Sequence, residues 1–347
     1  MEQEPVTDRA LIRCVVMFIL TLCSVFLVYG YQWSGGDPLS DPNSAVESLI
    51  FSSCLMFILL SHELGHYIVA RRHGFALSLP YFLPFPFAFG TLGAVIRLKS
   101  MPKSRNALLE MGAAGPITGF VAAILCAIWG MPYTQNKQSI EIPQGLQDSL
   151  SEVVQQETTI QEPSFWMTLI EMPTELLYDG LVWCGLVPKM VPGEIPITIL
   201  ADPLLLKVSG LFMLGEQLSP YAELHPAAFA CWVGCLLTAI NLIPVGQLDG
   251  GHICHALFPQ YAKKIGNVAM FMVLIGTFLW LGWLVWAVML YMMGATKGLK
   301  VPHTVLSERA KMVSFFAFIA FVFSFMIRPV ELINIQLSEI IWIEESK

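Results

Sequence analysis

The sequence predicts an all-α polytopic membrane protein with about six transmembrane helices or more, and a short re-entrant β-hairpin or loop among them. Three observations carry that expectation. Hydrophobic residues fill 55% of the 347 positions and charged residues only 13%, at a mean hydropathy of +0.64, which is not the balance of a soluble globular chain. Six apolar runs reach or approach the roughly 20 helical residues that cross about 30 Å of hydrocarbon. Between the second and third runs, a stretch rich in proline and aromatics cannot be an ordinary helix. The net charge of -7 and the lack of a long basic run exclude nucleic acid as a partner class and leave the lipid bilayer. The eight cysteines form no CxxC pattern and lie mostly in apolar runs, so they read as small hydrophobes rather than as a disulfide framework or a thiolate metal site.

The runs are Leu11 to Tyr31, Leu49 to Ala70, Ala107 to Gly130, Pro226 to Pro244, Ile265 to Met293 and Met312 to Ile327. Leu11 to Tyr31 has no cleavage signal after it and reads as a retained signal anchor. Arg9 and Arg13 precede it, which places the N-terminus in the cytoplasm. The second run ends at Arg71-Arg72, and from there to Arg105 the chain has six Lys or Arg and no Asp or Glu, a cytoplasmic signature. Met131 to Glu223 has twelve acidic residues against Lys137, Lys189 and Lys207, and so faces outward. The chain thus divides into a membrane region over 1–130, an extracytoplasmic region over 131–223 with amphipathic segments, and a second membrane region over 224–347. Within the outward region, Gln135 to Glu162 is polar, Phe165 to Leu186 reads as an interfacial amphipathic helix, and Ile197 to Leu214 is ambiguous. The fifth run poses a conflict: as one helix it would put Lys297, Lys300, Arg309 and Lys311 outside, whereas a hairpin folded at Gly276 or Gly282 keeps them cytoplasmic. The hairpin is favoured.

Inside the second run lies Ser61-His62-Glu63-Leu64-Gly65-His66, an H-E-x-x-H motif. Positions i and i+4 share a helix face, so His62 and His66 can reach one metal while Glu63 borders the same point. Neutral imidazoles suit Zn2+, and a catalytic zinc keeps one position for a water that a neighbouring base can deprotonate. Two His and a Glu in an apolar run are expensive unless a function retains them. Counting back from Arg71 places His62 about 13 Å inside the cytoplasmic end of its helix.

Leu79 to Phe87, with Pro80, Pro84 and Pro86, followed by the strand-like Gly90 to Arg97, reads as a re-entrant loop or β-hairpin against the site. Its edge could pair with an unwound peptide; a plain amphipathic surface loop is the alternative. Gly115 and Gly119, four apart in the third run, suit close helix packing. A third metal donor must come from elsewhere. Asn241 to His252 offers one, because Pro244 and Gly246 break the fourth helix near the cytoplasmic side. Asp249 supplies a carboxylate there, with His252 and His255 as rivals by residue type. Asn241 reads either as a hydrogen-bond donor to a developing oxyanion or as an interhelical polar contact.

Together, H-E-x-x-H, Gly115-Pro116-x-x-Gly119 and Asn241-x-x-Pro244-x-x-x-x-Asp249-Gly250 closely resemble the site-2 protease family of intramembrane zinc metalloproteases. His225-Pro226, Asn241 to His252 and Val301-Pro302-His303 resemble the branch found in bacteria and chloroplasts. The resemblance favours Asp249 as third ligand. It implies zinc on His62, His66 and Asp249, Glu63 as catalytic acid/base, and Asn241 in support. Single-span transmembrane proteins are the implied substrates and the bacterial cytoplasmic membrane the implied location. No PDZ pattern is evident in 131–223. A zinc transporter, or a non-catalytic scaffold that binds membrane proteins, is the alternative class; the first usually shows internal repeats and the second has no need of Glu63.

Overall fold

The structure is a computed structural model and describes residues 8–75, 77–96, 104–139, 141–143, 194–292, 304–336 and 341–343. Helix α1 spans Asp8–Gln32. Helix α2, Pro42–Arg72, starts at an Asp41 N-cap whose carboxylate accepts from the Asn43 and Ser44 amides, with Pro42 in the first turn where a missing N–H costs nothing. It stops at His73 and at Gly74, whose φ of 72° a helix cannot continue. Helix α3, Arg105–Gly130, is capped by Ser104 through the Ala107 amide.

Between α2 and α3, β1 (Tyr81–Pro84) and β2 (Thr91–Val95) pair antiparallel, with a bulge between Phe82 and Pro84. The expected β-hairpin is thus present. α1 carries it: Ser24 Oγ donates to the Phe85 carbonyl at 3.0 Å, Trp33 Nε1 donates to the Ala88 carbonyl at 3.0 Å, and Phe18 meets Phe82 edge to face. The turn backbone at Gly90 lies so close to Val25 that a Cβ there would overlap it.

Further along come α4 (Leu204–Met213), α5 (Pro226–Asn241), α6 (Asp249–Leu257), α7 (Ala262–Gly276), α8 (Gly282–Met292) and α9 (Glu308–Ser324). α5 is the buried centre: Trp232 and Val233 are fully enclosed, against Phe51 and Leu55 of α2, Ala123 and Ala127 of α3 and Leu206 of α4.

Of the six expected spans, three are met in full length among the described residues. Among the described residues three helices are long and apolar enough to cross a membrane: α1, α2 and α3 with its extension to Tyr133. The fourth run ends as a helix at Asn241 and turns through Pro244 and Gly246, the sixth makes a 17-residue helix, and the fifth is two helices. That fifth run breaks between Gly276 and Gly282, and Val273 and Ala269 of α7 pack with Trp283, Ala287 and Leu290 of α8, so it is the favoured hairpin. α9 then starts beside α3's first turns, where Arg309 Nε lies 3.7 Å from Glu110, on the same end of the bundle as Arg71 and Arg105.

The all-α expectation also needs amending at the opposite end. β4 (Glu194–Leu200) pairs antiparallel with β5 (Val330–Gln336), and β3 (Glu141–Pro143) pairs parallel with β6 (Ile341–Ile343). The ambiguous Ile197 to Leu214 stretch resolves into most of β4 and α4. Phe165 to Leu186, expected to be amphipathic, lies outside the described residues. Asp202, partly buried ahead of α4, has its carboxyl pushed up to about 6 by that burial, against the opposing pull of Lys207.

Candidate metal centre

Helical periodicity brings His62 and His66 onto one face of α2, and their ring centroids are 4.8 Å apart. α6 begins where the broken chain after α5 resumes a helix, and its first residue, Asp249, meets them. Oδ2 of Asp249 lies 3.2 Å from His62 Nε2 and 3.3 Å from His66 Nε2, and the two Nε2 atoms are 3.1 Å apart. These three residues form the one group of three or more potential ligands among the described residues. All three are at least largely buried, Glu63 beside them is buried too, and the group is enclosed by α2, α3 and α6.

The polarity of the hydrogen bonds says what fits between them. His66 Nδ1 lies 2.7 Å from the Met111 carbonyl of α3, which can only accept, so Nδ1 carries the proton and Nε2 of the neutral ring presents a lone pair. Two imidazole Nε2 atoms and a carboxylate oxygen, each able to offer an electron pair, then converge on one point. Ligands of a tetrahedral zinc at about 2.0–2.1 Å sit about 3.3 Å from one another, which is the spacing found here. Two imidazoles and one carboxylate also leave a fourth position open. The residues fit Zn2+.

Neither rival donor joins the group. His255 uses Nδ1 on the Gly251 carbonyl at 2.8 Å, and His252 Nδ1 is buried with no partner among the described residues. Asn241 closes α5 and lines the same cavity, of about 100 Å3, that His62 and Glu63 line. Leu92, Gly93, Ala94 and Val95 of β2 form another wall and Trp286, Met289 and Leu290 of α8 a third. The hairpin therefore borders the site, as the sequence suggests.

α3 shapes this centre through what it lacks. A Cβ on Gly115 would overlap the His66 imidazole, and one on Gly119 would come within 3.1 Å of His62 Cβ and 3.2 Å of its Nδ1. The packing that the two glycines serve is thus packing around the imidazoles themselves. The Met111 carbonyl had no sequence signal, because a backbone acceptor is the same in every residue. Glu110 beside it, buried and 3.0 Å from His73 Nε2, was also missed; an acid at an apolar helix position was its one trace.

A largely helical membrane protein with a buried centre of two histidines and an aspartate, and a glutamate beside it, is thereby defined as a class. A family model described as Peptidase family M50 matches residues 50–285, more than half of the chain. The chain belongs to Peptidase family M50, the site-2 protease family. Among curated proteins it is similar to one named probable zinc metalloprotease EGY2, chloroplastic, of Oryza sativa subsp. indica, 26% identical over 257 residues, covering 74% of this chain and 37% of the relative. It is similar also to probable zinc metalloprotease EGY1, chloroplastic, of Arabidopsis thaliana, 25% identical over 292 residues, covering 79% of this chain and 44% of the relative. The chain thus spans about two fifths of the length of these relatives. No solved structure matches.

Proposed function

We propose that this integral membrane protein is an intramembrane zinc metalloprotease that hydrolyses peptide bonds in or near the membrane segments of single-span proteins. The observation that carries the reading is the convergence of His62, His66 and Asp249 beside a buried Glu63, in a chain that belongs to Peptidase family M50.

In this reading His62 and His66 through Nε2, and Asp249 through its carboxylate, hold the metal. Zinc bound there supplies a Lewis acid that polarises the scissile carbonyl and makes water nucleophilic near neutral pH. Glu63 takes a proton from the attacking water and passes one to the leaving amine as the C–N bond breaks. Asn241, on the wall of the same cavity, donates from its amide to the carbonyl oxygen as negative charge develops on it.

The cavity limits how a substrate enters. About 100 Å3 does not admit a helix roughly 10 Å across, so the segment arrives unwound, and β2 or α8 moves to admit it. Among the described residues, β2 has a strand partner only in β1, and Leu92 to Val95 line the cavity; an extended segment laid on that free edge gains backbone hydrogen bonds in place of those lost on unwinding. Helix-breaking residues in the substrate lower the cost of that entry.

The end bearing Arg71, Arg72 and Arg105 faces the cytoplasm, with β4 and β5 outside, a reading supported by the Lys and Arg bias. A bacterial cytoplasmic membrane belongs to the same proposal and rests on the resemblance of motifs alone; the relatives' names carry the word chloroplastic.

The test is cleavage of a panel of single-span proteins in vesicles, with metal content measured in parallel. Glu63→Gln keeps one zinc per chain and loses cleavage by at least about 1,000-fold, within the range for removing a general base and its activated water. Undiminished turnover by Glu63→Gln, or turnover that survives complete zinc removal, overturns the reading.

A further inference from the structure

α6 is only nine residues long, yet it carries a member of the metal group at its first position. Helices this short do not hold themselves, and their last carbonyls have no partner within the helix. Arg105, the first residue of α3, supplies those partners. Its Nε donates to the Ala256 carbonyl at 2.7 Å and its Nη2 to the Leu257 carbonyl at 3.0 Å, which are the last two residues of α6. The third arm, Nη1, donates to the Thr304 carbonyl at 3.1 Å, and the Arg105 amide donates to Thr304 Oγ1 at 3.0 Å. The guanidinium is thus spent on three carbonyls in one fork, and its charge sits at the negative end of the α6 dipole.

α3 therefore grips both sides of the metal group. Six residues beyond Arg105, the Met111 carbonyl holds His66 through Nδ1. At Gly112 the helix lies against α6 itself, where a Cβ would stand 3.2 Å from the Asp249 carbonyl. Leu257, which Arg105 holds, is about 12 Å along α6 from Asp249, too far for Arg105 to touch a metal, so any effect it has travels through the helix.

We propose that Arg105 is a positioning residue for Asp249: by clamping the C-terminal end of α6 it fixes where Asp249 Oδ2 stands relative to His62 and His66. This rests on the reading of Asp249 as a zinc ligand. Lysine does not replace it, because one ammonium on a flexible stem cannot satisfy three carbonyls set for a planar fork.

The experiment uses the full chain in a bilayer disc, loaded with Co2+ for visible absorption and, separately, with Zn2+ for release to a chelator. Arg105→Ala is expected to release zinc about tenfold faster, at the low end of what losing a partner that orients a ligand costs. Its Co2+ band shifts toward that of Asp249→Ala, and Arg105→Lys falls between Arg105→Ala and the unaltered protein. Leu206→Ala, a fully buried truncation in α4, supplies a destabilised control that should keep the native band and release rate. Where Arg105→Ala does not fold, Arg105→Lys against Leu206→Ala decides alone. Native bands and release rates in both Arg105 variants overturn the proposal, provided Asp249→Ala is altered; so does equally fast release from Leu206→Ala at matched loss of thermal stability. An unaltered band in Asp249→Ala overturns instead the ligand reading beneath it, and the proposal with it.

Discussion

Helices α1 and α3 are 25 and 26 residues long, and both qualify as spans, but 17% of the apolar window of α1 is buried against 61% of that of α3. α1 turns Leu11, Ile12, Val15, Val16 and Ile19 outward, whereas α3 is threaded through the middle of the bundle against α2, α5, α6 and α9. Hydropathy marks both as spans and does not say which is central, because lipid tails receive a leucine as well as a protein interior does. Side-chain size does. Gly112, Gly115 and Gly119 let the backbone of α3 come within reach of both imidazoles and of α6, while the large residues of α1 keep it at the rim, where it supports the hairpin. In α3, the central position goes with missing Cβ atoms where it meets the imidazoles and α6.

The largest effect that can break this contrast is expected from Gly115→Ala. Its Cβ would overlap the His66 ring, so His66 must leave the group, with zinc content down about tenfold or more and cleavage down over about 100-fold. Metal analysis and vesicle cleavage check it; near-native values would mean that α3 yields as easily as a peripheral helix. Gly119→Ala is milder, since the new Cβ would stand 3.1 Å from that of His62, which needs to give only a few tenths of an ångström. Cleavage should slow about tenfold with zinc retained, a split visible when both assays are run on one preparation.

Asp202→Asn probes neither helix and sharpens the comparison as a control. Burial raises this carboxyl to about 6, above its unfolded value near 3.8, so its neutral form is favoured by folding. Its stabilising contribution is full below the unfolded value and is lost as pH rises through about 6. The amide should therefore raise the thermal midpoint by roughly 2 °C at pH 7.5 and by less at each step down through pH 6, with cleavage per folded molecule unchanged. Smallest of all is Ile19→Ala, at a side chain 51% exposed on α1. Stability and turnover should stay within about twofold, as for substitutions away from packed features. A tenfold loss there would show that α1 does more than carry the hairpin.

The sequence carried the H-E-x-x-H pair because both histidines lie on one helix, where a spacing of four is already a geometry. It narrowed the third donor to a broken helix but left His252 and His255 beside Asp249. The separation of 187 positions between His62 and Asp249 is bridged only by folding. The hairpin was legible from its prolines and its glycine turn. The strands at the outward end were not, since β4 finds its partner β5 more than a hundred residues away and an isolated strand of mixed polarity resembles an interfacial segment.

What the sequence determined by itself is local: which stretches are apolar, where proline and glycine stop a helix, and which two histidines face the same way. Each follows from backbone sterics and from a period fixed within a few residues. Only the tertiary structure decided that Asp249 completes the group, that the Met111 carbonyl fixes the His66 tautomer, and that Arg105 holds α6 at its far end. Those contacts join chain segments whose separation along the sequence has no bearing on their distance in space.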